Sequence, residues 1–253
     1  MTLLRSERRG QLAILRLDKA RGNAIDEPLV EELTAAVTAL AGDGEISGVL
    51  LASAHPKLFS PGLDLVALYE YDRPAMERFM LRFADMVAAL YALPKPLLAA
   101  VSGHAVAGGC ILAMTADWRV LALGAQIGLN EVKIGVPLPW SVATLLRSTT
   151  SPKALAKVAL LGRNFEGEAA LSAGLADELA SPEGFEEACL ARLAEFAEKD
   201  GYAFARTKAY LRDGALREMR ERERELLEEW LDGWFSEATR ARIRKLVESL
   251  TKR

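Results

Sequence analysis

Residues 101–110 read Val-Ser-Gly-His-Ala-Val-Ala-Gly-Gly-Cys. They follow the apolar run Leu97–Val101, which reads as a strand, and lead into a further apolar stretch that reads as a helix. Glycines directly after a strand let main-chain N–H groups approach a ligand without a side chain in the way. Where such glycines open a helix, the free N–H groups and the helix dipole favour developing negative charge. Two other segments have a related character: Lys57-Leu-Phe-Ser-Pro-Gly-Leu-Asp-Leu65, and Ile127-Gly-Leu-Asn-Glu-Val-Lys-Ile-Gly-Val-Pro137. Each alone reads equally well as a tight turn. Their order and spacing as a set is what carries information.

Working outward, Leu3 to Leu17, broken at Arg9-Gly10, predicts two strands joined by a turn. Asp26 before Glu27-Pro28 is an N-cap signal for a helix that Gly42 stops. Residues 48–52 read as a buried strand. Residues 66–90 read as a long helical stretch with a break around Arg73-Pro74, ended by Pro94 and Pro96. Ser151-Pro152 and Ser181-Pro182-Glu183 each carry the signal of a helix start. From Phe185 onward the pattern is helical, including the charged run Arg217–Glu229, where Glu218 and Arg222 stand at i,i+4 and a solvated or subunit-facing helix is expected. Residues 236–253 carry six basic and two acidic side chains, which suits either a helix C-terminus complementing its dipole or a site near an anionic partner. The layout is α/β over residues 1–195 and helical over 196–253.

Composition excludes several classes. With 32 Lys and Arg against 35 Asp and Glu, the chain lacks the basic excess of a nucleic-acid binder. Two cysteines, Cys110 and Cys189, and two histidines, His55 and His104, argue against a disulfide framework and a Cys/His zinc site, so no metal is expected. No apolar leader opens the chain and no 18-residue apolar window occurs, so the expectation is a cytoplasmic protein with no membrane partner. Gly103 to Gly108 has phosphate-loop spacing, but Gly109 and Cys110 stand where lysine and Ser/Thr would have to be. No G-x-G-x-x-G or G-x-S-x-G segment is present in the places those motifs require. Each histidine reads as structural or surface, and each cysteine as a packing residue.

Taken together, the three segments resemble those of the crotonase, or enoyl-CoA hydratase/isomerase, superfamily over roughly residues 3–250. The resemblance implies a spiral of ββα turns with C-terminal helices used in trimer contacts, as a homotrimer or dimer of trimers. It implies an acyl-CoA substrate of fatty acid metabolism, with no cofactor beyond the CoA carried by the substrate itself. By the same resemblance Pro61, Gly62, Leu63, Asp64, Leu65, Gly108 and Asn130 bind substrate, and the N–H groups of Leu63 and Gly108 form an oxyanion hole. Hydratases of this family carry a glutamate where this chain has Ile111. The second family glutamate matches Glu131. A single glutamate suits proton transfer from C2 to C4 better than hydration, so the motifs are most similar to Δ3,Δ2-enoyl-CoA isomerase of the mitochondrial type. Hydrolysis, another enolate reaction, a hydratase with a relocated acid and a non-catalytic acyl-CoA-binding role stay open as alternatives. Pro61 departs from the family's usual small residue. Pro137-Leu-Pro-Trp140 replaces a glycine-rich continuation, and Trp140 reads either as shaping the acyl pocket or as core packing.

Overall fold

A hairpin of β1 (Leu4–Arg9) and β2 (Leu12–Leu17) opens the chain, antiparallel through the turn at Gly10, in a computed structural model that describes residues 3–252 apart from the side chain of Arg21. The four-residue helix α1 (Ala20–Asn23) follows, then α2 (Glu27–Gly42). Asp26 caps α2 by accepting from the Leu29 N–H at 3.2 Å, and Pro28 sits in its first turn.

From β3 (Gly48–Ser53) onward the chain repeats one unit. A long strand is followed by a short one and then by helix. β3 is followed by β4 (Leu58–Ser60), α3 (Leu65–Leu68) and α4 (Arg73–Ala92). β5 (Leu97–Val101) is followed by β6 (His104–Val106) and α5 (Gly108–Met114). β7 (Trp118–Ala122) is followed by β8 (Ile127–Gly128), a 3-10 turn at Glu131–Ile134 and α6 (Trp140–Thr149). The long strands join the six-stranded sheet β1-β2-β3-β5-β7-β10, in which every pair but β1–β2 is parallel. The short strands form a second sheet in the order β4-β6-β8-β9, with β9 at Asn164–Phe165 and β10 at Glu178–Ala180. All residues of β3 and β5 are buried, as parallel strands covered on both faces require. This is an α/β spiral of ββα turns, as the resemblance implies.

The remaining helices are α7 (Pro152–Leu155), α8 (Gly167–Ala173), α9 (Phe185–Ala197), α10 (Gly201–Phe235) and α11 (Glu237–Thr251). The division expected at residue 195 falls inside α9, which packs on β3 and β5. Among the described residues no helix is long and apolar enough to cross a membrane.

Several local expectations need correction. The break expected around Arg73-Pro74 is present and falls just before it, at Tyr69 to Asp72, where Asp72 caps α4 by accepting from the Ala75 N–H at 2.8 Å. Ser151 precedes a helix but does not cap it with its side chain. Ser181 accepts from the Glu183 N–H in a turn, and α9 starts only after Gly184, whose φ of +67° sets the bend. Glu218 pairs with Arg147 at 2.5 Å, drawn off the helix, and Arg222 lies over Trp140 instead of pairing with Glu218. The charged run is not uniformly solvated either. Glu223 is buried and accepts from the Ser141 N–H at 2.5 Å, capping α6 from another helix. Of the six basic residues expected at this end, Arg240, Arg242, Arg244 and Lys245 precede the last turn of α11, Lys252 is its C-cap, and Arg253 lies outside the described residues. Arg240 stacks 3.7 Å from the Tyr69 ring centroid and Arg244 donates to the Tyr69 hydroxyl at 3.0 Å, fastening α11 over α3.

Candidate active site

Because β4, β6 and β8 lie side by side and parallel, their C-terminal ends emerge together. The three singled-out segments are the chain leaving those ends. Their convergence is a consequence of sheet register.

The turn after β4 packs directly on the turn after β6. Gly62 has φ +99°, and a Cβ there would lie 2.8 Å from the Ala107 Cβ and 2.9 Å from the Gly108 nitrogen. A Cβ on Gly108 would lie 3.1 Å from the Gly62 Cα and 2.9 Å from Ile25 Cδ1. Only glycines allow this approach. Leu63 is bracketed by two main-chain bonds to Ile25: the Ile25 N–H donates to the Gly62 carbonyl at 2.8 Å, and the Asp64 N–H donates to the Ile25 carbonyl at 2.8 Å. Ala107 has φ +51° and ψ −121°, a conformation costly for a residue with a Cβ, and its ψ sets the direction of the Gly108 N–H that follows. Among the described residues, neither the Leu63 nor the Gly108 N–H donates to an acceptor within the fold. Two such donors side by side can bind an oxyanion.

Facing them is Glu131, first residue of the 3-10 turn. Its Oε2 is buried with no hydrogen-bond partner among the described residues. Loss of water pushes its pKa up from 4.5 to about 7, against the opposing effect of main-chain N–H groups at Glu131 and Asn130. These groups line a cleft of about 120 Å³, and Glu131 is its one ionisable side chain among the described residues. Ile111, buried at the second turn of α5, presents hydrocarbon to the same space.

Of the other residues expected at the site, Pro61, Leu65 and Asn130 line the cleft. Gly62 lies behind it, as the contact that sets the spacing of the two donors. Asp64 is turned away: it accepts from Lys19 Nζ at 3.1 Å and from the Ala67 N–H at 3.3 Å, capping α3. Lys19 is itself buried and also contacts Asp26 at 3.0 Å and the Ala24 carbonyl at 2.6 Å. Deleting its charge leaves two carboxylates with no counter-ion near the Leu63 turn, so Lys19→Ala is expected to cost about 3–5 kcal/mol, measured by urea unfolding. A cost under about 1 kcal/mol would show that the pair is not holding this turn. Trp140 stands outside the cleft, between Arg147 and Arg222 with ring-centroid distances of 5.0 and 4.6 Å. The tryptophans that do line the cleft are Trp230 and Trp234, stacked at 5.4 Å. Sequence reading missed both, and missed Met80 and Phe83 of α4 and Leu246 of α11, which meet them there.

Paired free N–H groups, a desolvated carboxylate and an apolar cleft at the ends of parallel strands define a class of enzyme that moves a proton beside a stabilised oxyanion. The chain belongs to the enoyl-CoA hydratase/isomerase family, which it matches over residues 7–249. A probable enoyl-CoA hydratase, EchA17, from Mycobacterium avium is 32% identical over 199 residues, covering 78% of this chain and 77% of that one. Human mitochondrial enoyl-CoA delta isomerase 1 is 28% identical over 203 residues, covering 79% of this chain and 67% of the human one. In structure, human mitochondrial delta3-delta2-enoyl-CoA isomerase superposes with a TM-score of 0.95 at 24% identity over 99% of both chains, which establishes the fold. The EchA3 hydratase of Mycobacterium ulcerans superposes at 0.85 with 28% identity over 90% of this chain and 99% of that one.

Proposed function

We propose that this enzyme is a Δ3,Δ2-enoyl-CoA isomerase with Glu131 as its single base. The observation that carries the reading is the pairing of Glu131 with Ile111 across one cleft. Hydration needs groups both to activate water and to deliver a proton, and a hydrocarbon wall supplies neither. Isomerisation needs only one group. The carboxylate takes a proton from C2 of the 3-enoyl thioester, and the C2–H electron pair moves into the conjugated system with negative charge on the thioester oxygen. The N–H groups of Leu63 and Gly108 hold that oxygen. The same carboxyl then returns the proton to C4, and the double bond lies between C2 and C3. A pKa of about 7 suits a group that must take and give one proton near neutrality.

The test is to offer 3-enoyl-CoA and 2-enoyl-CoA separately and identify products by mass and ultraviolet absorbance. The expected result is 2-enoyl-CoA from the first, and from the second no 3-hydroxyacyl-CoA. Rapid hydration of 2-enoyl-CoA would overturn the reading. The reading includes assembly as a trimer or dimer of trimers, supported by exposed apolar side chains at Leu160, Leu161 and Leu211. Sedimentation at micromolar concentration is expected to give three or six copies, and a monomer would remove that part.

A further inference from the structure

We propose that Trp230 fixes the longest acyl chain this enzyme accepts, by standing as a partition between the substrate cleft and a second cavity. The inference rests on the acyl-CoA reading of the cleft. From the oxyanion donors and Glu131 the cleft runs into purely apolar walls, among them Met80, Phe83, Val136, Pro139 and Trp230. That end has nothing for a nucleotide or a phosphate to bind, and suits the hydrocarbon tail. Behind it lies a second space of about 230 Å³, bounded by Pro137–Trp140 on one side and on the other by Leu226 and Leu227 of α10, with Glu223 and Glu229 of the same helix at its border. The two spaces share only Pro139 and Trp230. Pro139 contributes a ring fixed to the chain. Trp230 is therefore the removable part of the wall.

The indole is held shut in two ways. Its Nε1–H donates to the Pro137 carbonyl at 2.9 Å, and its face stacks on Trp234 at an interplanar angle of 17°. Trp230 is only 4% exposed although it borders both spaces. A tail that reaches it meets a locked ring. One methylene too many for a closed hydrophobic pocket is penalised by about 10-fold or more.

The experiment measures two quantities over saturated and 3-enoyl acyl-CoA chains from C4 to C16: Kd for the saturated thioesters, and kcat/KM for the unsaturated ones. Wild type is expected to gain affinity with length and then to lose about 10-fold or more beyond a cut-off. Trp230→Ala and Trp230→Leu are expected to move the cut-off to longer chains, raising the long-to-short ratio by at least about 10-fold. Leu226→Trp, which fills the second space from the neighbouring helical turn, is expected to reverse that gain when combined with Trp230→Leu. A wild type whose affinity shows no cut-off up to C16 overturns the proposal whether or not any variant folds, as does a folded Trp230→Leu with the wild-type profile or a protein that binds no acyl-CoA. A length cut-off in Kd without turnover of 3-enoyl-CoA would remove the isomerase reading and leave the role of Trp230 standing.

Discussion

Glu131→Gln is expected to lower kcat by at least ~10²-fold, the low end for losing a general base, and at the same time to make the protein more stable at pH 8. The two effects share one cause. Burial raises the folded-state pKa of Glu131 to about 7 from an ordinary 4.5. The folded protein therefore holds a proton that the unfolded chain has released between those values. Wild-type stability falls as pH rises through that window, by up to about 3 kcal/mol once the group is fully ionised. Glutamine has the same shape and no charge to desolvate. Its advantage is expected to be absent below pH 4.5 and complete above pH 7, read as a difference in Tm at pH 4 and pH 8. Wild-type kcat/KM should rise with pH and level off above about 7, because the ionised form is the base. Turnover within a factor of three of wild type would show that Glu131 is not the base, and an unchanged Tm difference at the two pH values would show that it is not desolvated.

Gly108→Pro is expected to cost about 10² to 10³ in kcat, the usual result of deleting one oxyanion donor. Proline suits the first position of α5 as regards hydrogen bonding, since that N–H has no partner in the helix. Its Cβ, however, arrives 2.9 Å from Ile25 Cδ1 and 3.1 Å from the Gly62 Cα. Ile25→Val combined with Gly108→Pro shortens the obstructing side chain. Gly108→Ala is the control: it brings the same Cβ and keeps the donor. If proline and alanine variants lose activity equally, the loss comes from displaced turns and not from the missing N–H. A folded Gly108→Pro enzyme with full activity would remove this donor from the mechanism.

What could be read from sequence was what local chemistry writes. Asp26 before Glu27-Pro28 gave the start of α2, the apolar runs gave β3 and β5, and three glycine-bearing segments gave the family. The second sheet left no such trace, because β4, β6, β8 and β9 have only two or three residues each, too few for a periodic pattern. Glu131 and Ile111 could be placed through the resemblance. The far wall of the cleft could not, since Trp230 and Trp234 stand about a hundred residues downstream at the end of a charged run. That run looked like a solvated face. Its buried carboxylate, Glu223, accepts from the Ser141 N–H, and earlier on the same helix the buried Lys208 pairs with Asp117, contacts no local pattern announces. Ala107 was invisible for a different reason: alanine is rarely forced to positive φ, and nothing in its neighbours marks it.

The contact between Gly62 and Gly108 also bears on how enzymes on this scaffold can diverge. Since a side chain on either glycine would collide with the other's turn, neither turn can be altered without disturbing the other, and the charge-stabilising half of the machinery changes only as a pair. Positions 111 and 131 carry no such mutual constraint. Ile111 belongs to a helix and Glu131 to a separate 3-10 turn, and each presents a side chain to the cleft. Chemistry on this backbone is thus free to drift by exchanging carboxyl and hydrocarbon groups around an anion trap that stays still. An engineer converting one reaction into another would begin at those two positions, and would need to give any new carboxylate the hydrogen-bond partners that a buried charge demands.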